Sequence, residues 1–250
     1  IMACGTGKTL TALWASECLN SNRILVLVPS LTLLSQTVSE WLSNANEPFA
    51  YLPVCSDDTA AKGNDAAVVF TSDLEYPATT SPEEIAKFLR KRGSRVVFST
   101  YQSSSQIAAA MAHGRVPAFD LIVADEAHRC AGKTSGGFGT VLDSDLIRAK
   151  KRLFMTATPR RYTDAVVKKA SDDGLEVASM DDENVFGPVV HRLGFSEAIK
   201  KGLLTDYRVV IVGVDDERYK QMVDQRHLVE TDTGFQTDAK TLAGHIALAK

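Results

Sequence analysis

Four cysteines in 250 residues, none in a CxxC pair, leave no basis for a disulfide framework or a thiolate metal site. Thiols as sparse as Cys4, Cys18, Cys55 and Cys130 suit a reducing cytoplasm. Long apolar runs are missing as well. Ile24 to Val28 is typical, far short of the ~20 residues a spanning helix needs, and no charged-then-apolar segment opens the chain. A soluble cytoplasmic protein without a membrane partner is expected. Neither sign of charge dominates: 28 Lys and Arg against 31 Asp and Glu give a net charge of −3, so contact with a phosphate backbone must be confined to one face. The basic clusters Arg90 to Arg92, Arg148 to Arg152 and Arg160-Arg161 are short, and runs of that kind usually mark solvated helix ends or strand starts. What remains is ordinary for a globular chain of one or two domains, with 44 % hydrophobic residues.

Against this plain background two strings stand out, Gly5-Thr6-Gly7-Lys8-Thr9 and Leu121-Ile122-Val123-Ala124-Asp125-Glu126-Ala127-His128. In the first, glycines without a Cβ let backbone N–H groups wrap phosphates at a helix N-terminus, Lys8 neutralises the outer charge, and Thr9 offers a hydroxyl to Mg²⁺. In the second, four apolar residues run into two acids, as in a buried strand whose tip delivers a carboxylate to a metal. Asp125 is the candidate metal anchor, and Glu126 beside it is the candidate base that polarises the attacking water. Together they read as a Mg-ATP site in which Gly5, Thr6, Gly7, Lys8 and Thr9 bind the phosphates, Thr9 and Asp125 the metal, and Lys8 and Glu126 are catalytic.

A literal search would misplace the phosphate loop. Met2 occupies the position usually held by Gly or Ala, whereas Ala127 to Thr134 matches the written pattern fully. That second stretch follows no strand of its own, and the glycines after it cannot open a helix. Lys8 to Asn20, by contrast, carries Leu10, Leu13, Trp14 and Cys18 at helical spacing. Lys133 and Thr134 are expected in a polar surface loop.

Short apolar segments predict strands at Ile24 to Val28, Tyr51 to Cys55, Ala67 to Thr71, Arg95 to Ser99, Leu121 to Asp125 and Arg152 to Met155. Helices fall between them: Leu31 to Leu42 with Leu31, Leu34, Val38, Trp41 and Leu42 as its apolar stripe, Pro82 to Lys91 capped by Ser81, and Ser103 to Ala112. The alternation indicates an α/β fold, a parallel sheet with helices on both faces. Ligands of such sheets gather at the strands' carboxyl ends, where Ser30, Thr100, Asp125 and Thr156 fall. Acidic Ser171 to Asn184 is expected as an exposed loop. Beyond it come a short helix near Phe195 to Ile199, a strand at 207–214 and a helix at 239–250 that runs to the last residue. The fold reads as truncated at both ends, its phosphate-loop strand reduced to Ile1-Met2.

These residues resemble superfamily 2 helicases and translocases, most closely the motor subunits of type I and type III restriction enzymes. Gly5 to Thr9 resembles motif I, Pro29 to Gln36 motif Ia, Asp125 to His128 motif II and Thr156 to Pro159 motif III. Ser99 to Ser103 looks like the family's strand-contacting segment. The resemblance implies a RecA-like first lobe over residues 1–195, a linker over 196–206 and the start of a second lobe over 207–250. It also implies that His128, Thr156 and Thr158 couple nucleotide state to movement, and that Ser30, Gln36, Thr100 and Gln102 contact nucleic acid, DNA favoured. A nuclease or methyltransferase domain or subunit is the companion it allows for. Nothing resembles the second lobe's arginines, so weak Mg-ATP binding and slow or absent turnover are expected. Two other readings stay open: a nucleotide-gated scaffold that does not translocate, which has no need of Glu126, and a P-loop kinase, which has no place for Thr156-Ala157-Thr158.

Overall fold

A computed structural model describes residues 1–56, 77–133, 139–163, 168, 170, 172, 177–206, 228–230 and 236–238. The chain divides into two compact units, Ile1–Leu204 and Thr205–Lys250. In the first, β1 (Arg23–Val28), β2 (Ala50–Val54), β3 (Arg95–Thr100), β4 (Phe119–Ala124) and β6 (Ala149–Phe154) form one sheet in the order β2-β3-β1-β4-β6. All four neighbouring pairs are parallel, as the alternation of elements requires.

Successive side chains of a strand point to opposite faces, and here both faces are covered. Ile24, Val26, Val28, Val96, Phe98, Leu121 and Val123 cluster with α1 (Lys8–Cys18) and α2 (Leu31–Asn44). Their neighbours Leu25, Leu27, Val97, Ile122 and Ala124 cluster with α3 (Pro82–Arg90) and α4 (Ser104–Ala112). Burial on both sides is why these strands read as unbroken apolar runs, each enclosed Leu, Ile or Val contributing about 1.5–3 kcal/mol. Ser81 accepts from the Glu84 N–H at 3.3 Å with Pro82 at the first helical position, so α3 starts where its capping signal places it.

Several details differ from the sequence reading. The buried side of α1 is Lys8, Ala12, Leu13 and Ser16, while Trp14 and Cys18 are exposed. Leu42 of α2 is likewise exposed, its expected place in the buried stripe taken by Thr37. β6 begins at Ala149, earlier than its apolar residues suggest. It is the edge strand of the described sheet, and an edge tolerates Lys150 and Lys151, both exposed. Arg90, Arg148 and Arg152 each donate to two backbone carbonyls, so the guanidinium groups of the basic clusters at least partly tie loops together. Gly132 and Lys133 do not lie in an open loop. They form β5 (Gly132–Lys133), paired antiparallel with β7 (Val177–Ala178). The acidic stretch around β7 also carries a one-turn helix, α5 (Glu183–Phe186), before α6 (Phe195–Lys200). In the second unit, β8 (Leu228–Glu230) and β9 (Gln236–Asp238) pair antiparallel. The strands expected at 67–71 and 207–214, the helix at 239–250 and Thr134 lie outside the described residues.

Candidate active site

Residues 1–3 rise beside the end of β6 and deliver the chain to the glycine loop. The Met2 N–H donates to the Thr156 carbonyl at 3.0 Å, and on the other side the Ala3 N–H donates to the Leu193 carbonyl at 2.9 Å. The loop then turns through Gly5 at φ +77° and Gly7 at φ +80°, a left-handed conformation that disfavours any residue with a Cβ. Thr6 closes the turn by donating its hydroxyl to the Ala3 carbonyl at 2.7 Å. Gly7 caps α1 without a side-chain hydrogen bond, and the first turn of the helix holds no acid. The leading N–H groups of α1 are thus left for an anion.

Lys8, the first residue of that helix, is turned inward and almost fully buried. Its ammonium lies 4.0 Å from Glu126 Oε1. Glu126 comes from the tip of β4, where the chain bends sharply: Asp125 donates its N–H to the Leu27 carbonyl at 2.9 Å, and Glu126 takes φ +48° and ψ +43°. That left-handed bend turns the Glu126 carboxylate toward the lysine. Its other oxygen, Oε2, sits 3.2 Å from His128 Nδ1, and the same nitrogen is 3.1 Å from Thr156 Oγ1. Thr156 Oγ1 also accepts the Thr158 N–H at 3.1 Å. A chain of contacts therefore runs from Lys8 through Glu126 and His128 to Thr156, joining three of the four recognised motifs.

Burial dominates the electrostatics. It raises the Asp125 pKa above the ordinary carboxylate range; the Glu126 N–H, bonded to Asp125 Oδ1 at 2.9 Å, and the Lys8 charge offset part of that rise. Burial lowers the His128 pKa, against the opposing pull of Glu126. An enclosed carboxylate that favours its neutral form is short of positive charge, which is the donor chemistry a divalent cation would satisfy. Thr9, half-buried one residue beyond Lys8, carries a hydroxyl at the same helix start. The enclosed Asp125 carboxylate thus has the donor chemistry that the metal assigned to it and Thr9 would require.

The outer candidates are less uniform. Ser30 is half-buried and caps α2, accepting the Leu33 N–H at 3.3 Å. Gln36 is exposed on α2, where its amide donates to Glu40 at 2.8 Å. Gln102 and Thr158 are exposed. Thr100 is a correction: it is fully buried, with its hydroxyl spent on Ser103 Oγ at 3.2 Å, so its side chain is not on a binding face. Two residues that were given no site role from the sequence also touch the site. Tyr101, with no exposed surface, donates its hydroxyl to the Asp125 carbonyl at 2.7 Å, and Leu204 packs on Gly5. A tyrosine directly after an apolar strand was the available signal for the first. Nothing local marks Leu204. Beside Lys8, a cavity of about 360 Å³ lies between α1, β6 and Phe186 to His191, with Ala15, Phe154 and Val189 among its walls.

With this geometry in place, the known proteins that the chain resembles can be set beside it. The family described as "Type III restriction enzyme, res subunit" matches residues 1–161. The chain belongs to that family. Over 213 residues it is 33 % identical to "Probable helicase A859L" of African swine fever virus, an alignment that takes in 84 % of this chain. It is 30 % identical over 222 residues to "Type I restriction enzyme EcoAI endonuclease subunit" of Escherichia coli. Two solved structures share both sequence and fold. One is "ATP-dependent Type ISP restriction-modification enzyme LlaBIII bound to DNA", at 37 % identity and a TM-score of 0.67 over 83 % of this chain. The other is a nuclease-deletion mutant of the Type ISP enzyme LlaGI with a DNA substrate mimic, at 36 % identity and a TM-score of 0.63 over 83 %. The chain spans 21 % of the length of those two curated relatives, and 14 % and 16 % of the two structures. This is a superfamily 2 motor domain of the restriction-enzyme kind with a RecA-like sheet, and membership of the res-subunit family implies use of a nucleotide.

Proposed function

We propose that this chain is the ATP-binding part of a nucleic-acid translocase or helicase, with DNA as the favoured track. The observation that carries the reading is the meeting of Lys8 and Glu126, far apart in the first unit's sequence, beside an enclosed Asp125. Gly5 to Thr9 bind the triphosphate through backbone N–H groups and the Lys8 ammonium, which leaves Glu126 for the γ-phosphate. Thr9 and Asp125 hold Mg²⁺, which when bound neutralises phosphate charge. Glu126, released from Lys8, takes a proton from the attacking water. His128, poised between Glu126 and Thr156, reports the state of that carboxylate to the Thr156-Ala157-Thr158 segment. Ser30, Gln36 and Gln102 are the proposed strand contacts, uncharged groups suited to phosphate and sugar rather than to bases. In this reading residues 1–195 are the first motor lobe, 196–206 the linker and 207–250 the beginning of the second. A nuclease or methyltransferase companion, such as restriction enzymes carry, completes the assembly.

Titration with a fluorescent ATP analogue tests the phosphate site. Lys8→Ala is expected to weaken binding at least tenfold, because the buried phosphate charge loses its partner. Retained tight binding would overturn the assignment. In the full-length parent protein, Glu126→Gln should still bind Mg-ATP while phosphate release with DNA present falls about 10²–10⁴-fold; unchanged release would remove Glu126 from catalysis and favour the scaffold reading.

A further inference from the structure

The peptide group between Asp125 and Glu126 sets the direction of both carboxylates, and it is held from both sides. Its N–H, that of Glu126, donates to Asp125 Oδ1 at 2.9 Å. Its carbonyl, that of Asp125, accepts the Tyr101 hydroxyl at 2.7 Å. The preceding peptide is tied as well, since the Asp125 N–H donates to the Leu27 carbonyl at 2.9 Å, and the following turn is pinned by the Ala127 N–H to the Met155 carbonyl at 2.8 Å. Of these four tethers three are built into the β4 tip and the adjoining strands β1 and β6. The fourth comes from a side chain two strands away. Tyr101 opens the 3₁₀ turn Tyr101–Ser103 at the end of β3 and reaches past β1 to the tip of β4. It has no exposed surface, belongs to the buried cluster that also holds Ile107, Ala127 and Val141, and is hydrogen-bonded to the Cys130 side chain as well.

We propose that Tyr101 is a positioning residue: its hydroxyl holds the Asp125–Glu126 peptide in the orientation that presents both acids to Mg-nucleotide, and links them to the exposed turn at Gln102. The main chain that carries Tyr101 inward carries Gln102 outward, into solvent. A ligand pressing on that turn moves the phenol, and the phenol holds the peptide. Without the hydroxyl, the Asp125 carbonyl loses its partner from β3 in an enclosed setting, and the peptide keeps only the tethers of the β4 tip and its adjoining strands, which loosens the direction of the Asp125 and Glu126 carboxylates. The inference rests on the Mg-ATP reading above, and the nucleic-acid link rests on Gln102 belonging to the strand-contacting edge.

The test is Tyr101→Phe, which keeps the buried ring and removes one oxygen. Binding of a fluorescent ATP analogue is measured in Mg²⁺ and in EDTA, with thermal unfolding in EDTA alongside. The affinity gained on adding Mg²⁺ is expected to fall at least fivefold in the variant, with the EDTA affinity changed less than twofold. A structural role alone would weaken both affinities together, and that result, or no change in either, overturns the proposal. Wild-type protein that gains nothing from Mg²⁺ would instead refute the underlying nucleotide reading, and the positioning role with it. Should the variant not fold, hydrogen exchange at the Glu126 amide of the unaltered chain replaces it. Duplex DNA is expected to change that exchange several-fold. DNA that binds and leaves it unchanged breaks the link; DNA that does not bind refutes the track itself.

Discussion

Gly5 and Gly7 share a backbone conformation but not a neighbourhood, and that difference makes a quantitative prediction about the phosphate loop. Both are left-handed, at φ +77° and +80°. An L-residue in that region costs roughly 1–2 kcal/mol. A Cβ at Gly7 would meet nothing within 4 Å, so strain is its whole cost. A Cβ at Gly5 would lie 3.2 Å from Leu204 Cδ2, inside an ordinary carbon contact. That crowding adds about 1 kcal/mol, the low end for overpacking because the leucine tip can shift. For a protein of this size 1 kcal/mol moves the melting temperature by about 2–4 °C. Gly7→Ala is therefore expected to lower it by about 2–8 °C, and Gly5→Ala by about 2–4 °C more. Thermal unfolding without nucleotide measures both. The decisive comparison is a double-mutant cycle with Leu204→Ala, in which the extra cost of Gly5→Ala should vanish and leave the Gly7→Ala value. Equal losses at the two glycines in the wild-type background would refute the Leu204 contact. A loss under 0.5 kcal/mol at Gly7, on the order of an ordinary surface change, would refute the left-handed loop.

Two further substitutions test the acid and histidine sides of the site. Because burial raises the Asp125 pKa, the stability linked to this group is present at low pH and lost as pH rises through the folded value, so at neutral pH its charge is held at a cost. Asp125→Asn in metal-free buffer is expected to raise the melting temperature by about 2–4 °C, on the order of 1 kcal/mol, while abolishing the Mg²⁺-dependent part of ATP binding; a lower melting temperature would show that attraction to Lys8 outweighs burial. His128 has the opposite sign. Its folded pKa is lowered by burial, so the unfolded chain binds the extra proton first and stability falls as pH drops below about 6.5. Melting temperatures at pH 7.5 and 5.5 should fall further in wild type than in His128→Gln, and parallel losses would show that the imidazole charges freely in the folded state.

The sheet was legible because its strands are buried on both faces, which writes Ile24 to Val28 and Leu121 to Ala124 as apolar runs that no exposed segment could carry. The helices were legible where capping is local, as at Ser30 and Ser81. Which face a helix buries was not. Trp14 is the largest apolar residue of α1, yet it is 47 % exposed while the small Ala12 and Ser16 are buried. Edge position misled the reading of β6, whose lysines could be accommodated only because one of its sides has no partner among the described strands. At the site, the two motif strings named Lys8, Asp125 and Glu126, since each brings chemistry that a core does not require, while His128 and Thr156 were named by the family resemblance. Thr100 looked equivalent to Ser30 at a strand end, but the turn after β3 folds its hydroxyl inward onto Ser103. Tyr101 touches the site through a single backbone contact, marked only by a tyrosine directly after an apolar strand, and Leu204 through packing that nothing local marks.

Glu126 shows why the motif is legible at all. A left-handed turn at that position would be least strained with glycine, and glutamate there carries roughly 1–2 kcal/mol of backbone cost. The surrounding tethers, Leu27 and Tyr101 on one flank and Met155 on the other, hold the strained geometry in place. Such strain persists where the surroundings over-determine it, and it tends to cluster at functional sites. What the glutamate supplies in return is a carboxylate within 4.0 Å of a buried ammonium and 3.2 Å of an imidazole. The same bend that is costly for folding therefore sets the spacing between lysine, acid and histidine. The strain and the chemistry have one cause, the direction of a single peptide group, and a residue that fixes that direction acts on both at once.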